Sequence, residues 1–215
     1  MFTGIIEDLG KVKSIVKTQR GATFEIEALF ADQLKIGDSV AVNGACSTVI
    51  SKNSKSFSVE YSLHTLSLTT LSFLNNNERV NLERAMNFSD RINGHLVSGH
   101  IDGVTKLISI NDEGFAKKIS FILPEEYKNQ IVKKGSIAID GISLTISDVD
   151  DRQFSVTIIP HTLNNTTLCS KNVGNLINFE TDLISKYIEK VMLAKNINTR
   201  NSNIDEQFLA EKGFL

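Results

Sequence analysis

The side chains of this chain that could transfer protons or bind a polar ligand occur in two copies. Residues 64–71 and 161–168 both begin with His-Thr, and they are identical at six of eight positions when one is shifted by 97 residues. The same shift aligns Thr48 with Thr145. Imidazole and hydroxyl groups donate and accept hydrogen bonds, and imidazole also titrates near neutral pH. The shared positions are therefore either fold determinants or contacts to two similar ligands.

Some of the polar positions differ between the copies. His100 stands where the first copy has Ile5, Ser143 replaces Cys46, Leu144 replaces Ser47, and Asp140 replaces Asn43. An imidazole such as that of His100 can relay a proton, and a packed or turn-capping histidine is the alternative. If both copies bind the same molecule, these differences would give the two pockets unequal roles.

Several familiar chemistries have no signature in the sequence. The chain contains no GxGxxG, P-loop, CxxC or GxSxG motif, so no dinucleotide, triphosphate or metal site and no serine hydrolase elbow is indicated. His95 and His100 are five residues apart and lack a glutamate partner. We therefore expect no metal site.

The elements that must hold these residues read as short strands. Residues 10–16, 22–28 and 57–61 of the first copy place apolar side chains near every second position, and residues 118–123 and 154–159 repeat the pattern. Five or six such strands in about 95 residues predict a closed antiparallel barrel for each copy. Short helical turns are expected near residues 65–73 and 162–170.

Three segments follow from the repeat: an N-terminal barrel over residues 1–94, a C-terminal barrel over 95–183, and a helix with a tail over 184–215. From residue 184 the apolar positions take helical spacing. The apolar side of this helix is expected either to pack against its own barrel or to mediate self-association. Residues 196–203 read as a linker, and 204–215 as a last short helix or a loose end.

Composition narrows the classes of partner. The chain is 41% hydrophobic and 22% charged, with a net charge of −2, so no basic surface for nucleic acid or an anionic membrane is expected. The sequence contains no signal peptide pattern and no apolar run long enough for a membrane span. We therefore expect a cytoplasmic protein. We also expect reduced thiols, because Cys46 and Cys169 occupy non-equivalent positions of the two copies.

The chain contains four longer motifs: MFTGII at residues 1–6, INGHLVSGH at 92–100, KGSIAIDGISLT at 134–145 and IPHTL at 159–163. These motifs resemble those of the riboflavin synthases of the alpha-chain type. The resemblance implies an all-β chain of two tandem six-stranded antiparallel Greek-key barrels, followed by a C-terminal amphipathic α-helix that assembles a homotrimer. It also implies ligand sites between the N-terminal barrel of one subunit and the C-terminal barrel of its neighbour.

The implied reaction is a dismutation of two molecules of 6,7-dimethyl-8-ribityllumazine, both bound at one active site. One molecule gives four carbons to the other, and the products are riboflavin and 5-amino-6-(D-ribitylamino)uracil, with no cofactor or metal. An association with lumazine synthase is left open.

Positions that contact ligand in the family carry over to a defined set. They are Gly4, Ile5, Ile6, Cys46, Ser47, Thr48, Glu60, Tyr61, Ser62, Leu63, His64, Thr65, Gly99, His100, Ile101, Lys134, Ser143, Leu144, Thr145, Thr157, Ile158, Ile159, Pro160, His161 and Thr162. Phe2 and Asp182 match positions tied to activity.

The resemblance also suggests how the catalytic work is divided. In our hypothesis His100 relays a proton of the 7-methyl group, and Ser143 and Thr145 hold the ring edge. Cys46 or a nearby water supplies a nucleophile, and Phe2 covers the stacked rings.

Two other classes compete with the enzyme. A duplicated lumazine or flavin carrier would have the same fold and is expected to have lost the contacts of one copy, yet both copies keep theirs. A pair of OB-like barrels for nucleic acid would need a basic groove with stacking aromatics, whereas only 7% of the residues are aromatic and there is no Trp.

Overall fold

The computed structural model describes residues 1–200, 210 and 212. Its first barrel consists of β1 (Asp8–Thr18), β2 (Gly21–Glu27), β3 (Ser39–Val42), β4 (Ala45–Lys52), β5 (Ser56–Ser62) and β6 (Arg79–Arg84). The strands are antiparallel and close in the order β1-β2-β5-β4-β3-β6. This non-sequential order is a Greek key, and the closure leaves no free sheet edge.

The second barrel repeats the first. It consists of β7 (Gly103–Glu113), β8 (Ala116–Ile122), β9 (Ser136–Ile139), β10 (Ile142–Val149), β11 (Gln153–Ile158) and β12 (Leu176–Thr181). These strands close in the order β10-β11-β8-β7-β12-β9, which is the same cyclic order as in the first barrel. The predicted fold class, two six-stranded antiparallel barrels followed by a helix, is confirmed.

The period-two pattern of the strands builds one core inside each barrel. Inward side chains such as Phe24, Phe57 and Leu82 fill the first core, and Phe121 and Phe154 stack in the second with ring centroids 5.3 Å apart. Burial of apolar surface on this scale is the main force that stabilises each barrel. Outward positions of the same strands are left free to form a binding face.

The helical turns lie where the period-two pattern stops. α1 (Leu63–Leu68) follows β5 directly, and α2 (Pro160–Asn164) follows β11. Ser62 begins α1 as its cap, since its Oγ accepts a hydrogen bond of 3.1 Å from the Thr65 amide. A short 3₁₀ turn follows each helix, at Thr70–Phe73 and Thr167–Ser170. The predicted turns are therefore present, and each begins two residues earlier than expected.

The C-terminal helix, α3 (Leu183–Arg200), confirms the predicted helical spacing. It continues through residues 196–200, so the prediction of a linker there is wrong. Asparagine costs a helix only about 0.7 kcal/mol or less per residue, too little to end it. Residues 201–203 of that linker, and most of the predicted last segment, lie outside the described residues. No helix of the described part of the chain is long and apolar enough to cross a membrane.

Reciprocal hydrogen bonds of two buried asparagines join the barrels. Asn81 of β6 donates through Nδ2 to the carbonyl of Asp140, 2.9 Å away, and Asn178 of β12 donates to the carbonyl of Asn43 at the same distance. All four residues are buried. Because an unpaired buried amide is costly, these bonds fix how one barrel lies on the other.

The acceptor atoms of the same two amides bind the 3₁₀ turns of the opposite barrel. Asn178 Oδ1 accepts a 2.7 Å hydrogen bond from the amide of Thr70, and Asn81 Oδ1 accepts one of 2.8 Å from the amide of Thr167. Each asparagine therefore uses both ends of its side chain across the junction. The arrangement follows the pseudo-twofold symmetry of the repeat.

One difference breaks the symmetry of this junction. The Asp140 carboxylate takes the place of the Asn43 amide, and its Oδ2 lies 3.4 Å from Lys171 Nζ. The equivalent of Lys171 in the first copy is Leu74, and both residues end their 3₁₀ turns. Burial raises the pKa of Asp140, and the ammonium of Lys171 opposes that shift.

We expect the double variant Asp140→Asn/Lys171→Leu, which installs the residues of the first copy, to be at least as stable as the parent. Exchanging a buried ion pair for a neutral pair removes a desolvation cost. Lys171→Leu alone leaves the carboxylate buried without its cation and should lower the free energy of unfolding by roughly 3 kcal/mol. Urea unfolding at pH 7 measures both. If Lys171→Leu is as stable as the double variant, the buried Asp140 carboxylate does not depend on the ammonium of Lys171.

Candidate functional site

The segment at residues 4–6 lies against the second barrel, although it belongs to the first copy. The carbonyl of Gly4 accepts a 2.7 Å hydrogen bond from the Ser143 amide of β10. Gly4 has φ +75°, and a Cβ on it would lie 2.6 Å from Ser143 Cβ, so only glycine fits. The side chain of Ile6 packs on the second core.

The segment at residues 99–101 makes the reciprocal contact with the first barrel. The carbonyl of Gly99 accepts a 2.8 Å hydrogen bond from the Cys46 amide of β4. Gly99 has φ +80°, and a Cβ on it would lie 2.6 Å from Cys46 Cβ. Ile101 packs on the first core. Each barrel is therefore completed by a segment from the other half of the chain.

Two candidate faces result from this exchange. We call the surface of β4 with residues 99–101 the first face, and the surface of β10 with residues 4–6 the second face. Cys46 and Thr48 point outward on the first face, and Ser143 and Thr145 do so on the second. His100, next to Gly99 in the chain, is exposed on the first face, whereas the second face carries the exposed Ile5 at the equivalent place.

The strand period turns two predicted contacts inward. Ser47 is 5% exposed, and its Oγ donates a 2.8 Å hydrogen bond to the carbonyl of Val40. Leu144 belongs to the second core. The side chains of these residues cannot meet a ligand on the outer faces, so any contact there is made by their backbone.

The ends of β5 and β11 lie beside the two faces. On the first face β4 pairs with β5 at Val49 and Val59, one residue beyond Thr48. On the second face β10 pairs with β11 at Ile146 and Val156, one residue beyond Thr145. The predicted side chains that are exposed or half-buried along these ends are Glu60, Ser62, Leu63, His64 and Thr65 for the first face, and Thr157, Ile159, Pro160, His161 and Thr162 for the second.

Three other predicted residues have distinct positions. Tyr61 and Ile158 are core residues, so their predicted contacts are also limited to the backbone. Lys134 is exposed in a turn with φ +69°, and its amide donates a 2.8 Å hydrogen bond to the carbonyl of Ile146. The turn therefore lies at the edge of the second face.

Phe2 does not lie on either face. It is 0% exposed and packs between the barrels with Ala41, Val97 and Ala138. Its backbone forms a two-bond bridge with Val97, at 2.8 and 3.0 Å. The predicted role of Phe2 as a cover over stacked rings is incompatible with this burial. Phe2 instead supports Gly99 from behind, since a Cβ on Gly99 would lie 2.8 Å from its ring.

The surroundings of Cys46 oppose ionisation of its thiol. It is half-buried, and burial raises its pKa, with a weaker opposing effect from a hydrogen bond with Ser39. Reactive cysteines have a lowered pKa, because the thiolate is the nucleophile. The hypothesis of a nucleophile at this position is therefore better met by a water beside Cys46 than by its sulfur.

His95 is a site residue that the sequence analysis considered only as a metal ligand. Its Nδ1 lies 2.7 Å from Ser143 Oγ, and its Nε2 is buried with no hydrogen-bond partner in the described chain. Burial lowers the pKa of His95, while the charge of the half-buried Asp182 acts in the opposite direction. A neutral imidazole therefore orients the Ser143 hydroxyl. The sequence feature that could have identified His95 as a site residue is its position inside the motif at residues 92–100.

No group of three or more His, Cys, Asp or Glu side chains within residues 1–200, 210 and 212 could hold a metal ion. The faces instead offer hydroxyls, backbone amides and carbonyls, and apolar side chains. Small-molecule sites combine apolar side chains with a few polar groups in this way.

The two barrels place the chain in a class of proteins with tandem lumazine-binding domains. Residues 3–85 and 98–182 each match the family described as "Lumazine binding domain". The fold is also that of LumP in complex with riboflavin, with a TM-score of 0.78 and 24% identity over 84% of this chain and 99% of that one. LumP in complex with 6,7-dimethyl-8-(1'-D-ribityl) lumazine gives a TM-score of 0.76 at 23% identity and the same coverage.

Full-length relatives define the family more narrowly. The riboflavin synthase of Actinobacillus pleuropneumoniae is 43% identical over the whole of both chains, and that of Bacillus subtilis (strain 168) is 36% identical over the whole of both. The chain belongs to the riboflavin synthase family.

The burial of His95 makes a prediction about pH. The folded state resists protonation of this ring, so the unfolded chain binds more protons below pH about 6.5. The free energy of unfolding should fall as the pH drops from about 6.5 to the pKa of folded His95, and His95→Asn should remove that part of the decline. NMR titration of the ring and urea unfolding from pH 7 to 5 test this. Equal pH dependence in parent and variant would contradict the assignment.

Proposed function

We propose that this protein is a riboflavin synthase, a transferase that converts two molecules of 6,7-dimethyl-8-ribityllumazine into riboflavin and 5-amino-6-(D-ribitylamino)uracil. The observation that carries the proposal is the pair of similarly built but chemically unequal faces. Two like substrates need two like surfaces, and a donor and an acceptor need different groups on them. Four carbons leave one molecule and join the other, so the reaction balances without an oxidant or reductant.

The carrier alternative has weaker support. It rests on the LumP structures, which share 23–24% identity with this chain. The relatives named riboflavin synthase share 36–43% over its full length. In addition, neither face has lost its outward hydroxyl, since both Thr48 and Thr145 are exposed.

We infer that the protein acts mainly by orientation. The conjugated ring of the substrate acidifies its own 7-methyl group, and holding two rings in register contributes roughly 7–11 kcal/mol in favourable cases. The outward hydroxyls of Ser143 and Thr145 hold the ring edge on the second face, and His95 fixes the Ser143 hydroxyl. On the first face, His100 relays a proton, and a water beside Cys46 is the nucleophile.

We also propose that the two faces are covered by other copies of the chain. Both are open to solvent in one chain, as the exposure of Thr48, Thr145 and His100 indicates. Reaction between two bound lumazines requires a first face to meet a second face. A homotrimer assembled through α3 would supply this, and the apolar side chains of Tyr187, Ile188, Val191, Met192 and Leu193 are 54–67% exposed.

The remaining assignments are part of the same proposal. The functional divisions are residues 1–94, 95–183 and 184–215, with one lumazine on each barrel. The protein works in the cytoplasm, the compartment of small-molecule biosynthesis that the sequence favours. Association with a lumazine synthase would deliver the substrate directly.

The direct test is incubation of the purified protein with 6,7-dimethyl-8-ribityllumazine without any added cofactor. We expect one riboflavin and one pyrimidine for every two lumazines consumed, measured by chromatography and absorbance. Tight binding without turnover would favour the carrier. The absence of both binding and turnover would overturn the proposal. Analytical ultracentrifugation of the same sample tests the trimer.

A second prediction concerns His100. His100→Gln should lower turnover by at least about a hundredfold, because general acid–base catalysis contributes roughly 10²–10⁴. The matched control is His100→Gln combined with Ile5→His, which moves an imidazole to the equivalent place on the second face. If the faces have unequal roles, the added histidine does not restore turnover. Restored turnover in the double variant would contradict the unequal roles of the two faces. An unchanged rate in His100→Gln would remove His100 from the mechanism.

A further inference from the structure

The two crossing segments are held by buried carboxylates that no part of the mechanism above uses. Glu83 lies on β6 and is 4% exposed. Its Oε1 accepts hydrogen bonds from the amide and hydroxyl of Thr3, at 2.6 and 2.8 Å, and its Oε2 accepts one of 3.0 Å from the amide of Gly4. One carboxylate therefore binds three donors of residues 3 and 4.

Glu180 on β12 makes the same contacts in the second copy. It is 1% exposed. Its Oε1 accepts hydrogen bonds of 2.7 Å from both the amide and the hydroxyl of Ser98, and its Oε2 accepts one of 3.0 Å from the amide of Gly99. The distances match those of Glu83 to within 0.1 Å. The repetition shows that this is one arrangement, built twice.

A buried carboxylate is a costly way to fix a loop. Desolvation disfavours its charge, and burial indeed raises the pKa of Glu83 against the effect of its hydrogen bonds. Charged acceptors nevertheless form stronger hydrogen bonds than neutral ones. Three such bonds hold a glycine at positive φ together with the residue before it, and this fixes the direction of the carbonyl of that glycine.

That carbonyl crosses to the other barrel. Gly4 accepts from Ser143 and Gly99 accepts from Cys46, at 2.7 and 2.8 Å. Glu83 therefore belongs to the first barrel but acts on the second face, and Glu180 belongs to the second barrel but acts on the first face. We propose that Glu83 and Glu180 are positioning residues for the reaction, each controlling the face on the opposite barrel.

The proposal rests on the proposed function for its kinetic part alone. A first measurement is independent of activity: hydrogen exchange of the peptides that contain residues 1–6 and 95–101, read by mass spectrometry in the full-length protein. Glu83→Gln should raise exchange at least about tenfold in the first peptide only, and Glu180→Gln in the second only. A glutamine keeps the shape but turns an NH₂ donor toward amide donors.

The kinetic measurement uses double-mutant cycles. Each glutamine variant should lower kcat/KM by roughly tenfold to a hundredfold, the range expected for hydrogen bonds to a charged group. Combined with His100→Gln, Glu180→Gln should be strongly non-additive, because both changes act on the first face. Glu83→Gln with His100→Gln should be additive. Glu27→Gln, at the exposed end of β2, is the control and should change neither exchange nor rate.

Milder variants cover the case in which a glutamine variant does not fold. Thr3→Val and Ser98→Ala remove one hydroxyl donor each and should give the same face-specific pattern at about three- to tenfold. Exchange that rises equally in both peptides, or coupling to His100 that is equal for Glu83 and Glu180, would overturn the proposal. If the parent protein is inactive but the variants show the expected exchange pattern, the proposed function is wrong. The assignment of Glu83 to residues 3 and 4, and of Glu180 to residues 98 and 99, would then still hold.

Discussion

The fixed contact between the two barrels is the constraint on which the rest of the molecule depends. Asn81 and Asn178 each use donor and acceptor atoms across the junction, and both side chains are fully buried, so loss of these bonds would leave buried polar groups unpaired. With the barrels locked in this relation, the segments at residues 4–6 and 99–101 can cross from one half to the other. A shift of one barrel would pull Gly4 from Ser143 and Gly99 from Cys46, and both faces would lose their shape together.

Within this symmetric frame the chemistry is asymmetric. The backbone geometry of the two faces is nearly the same, down to the positive φ of both crossing glycines. A reaction between two identical molecules needs different side chains on the two faces. The first face has His100 where the second has Ile5, and the first has the half-buried thiol of Cys46 where the second has the Ser143 hydroxyl that His95 orients. Duplication explains how one ligand type is bound twice, and the substitutions explain how the two copies act differently.

The repeat in the sequence was sufficient to predict the barrels and the helical turns, because strand period and turn residues are local signals. It left open whether the shared threonines are fold determinants or ligand contacts. It could not show that residues 4–6 complete the second barrel, since a crossing segment depends on long-range packing. The hypothesis that Phe2 covers the stacked rings failed for the same reason: the resemblance ties this position to activity, and only the fold shows its burial between the barrels. Residues 80–83 (Val-Asn-Leu-Glu) align with residues 177–180 (Ile-Asn-Phe-Glu) at the same shift of 97. The polar residues that this pair of apolar strands shares, Asn81 with Asn178 and Glu83 with Glu180, were the available sign of the junction and of the carboxylates that hold the crossing segments.

Each half of the chain completes the candidate binding face of the other half. A crystal structure of the protein with a lumazine that lacks the reactive 7-methyl group tests it most directly. We expect one ligand against residues 99–101 together with Cys46 and Thr48, and a second against residues 4–6 together with Ser143 and Thr145. A ligand held by residues 4–6 and Cys46, from the same half of the chain, would contradict it.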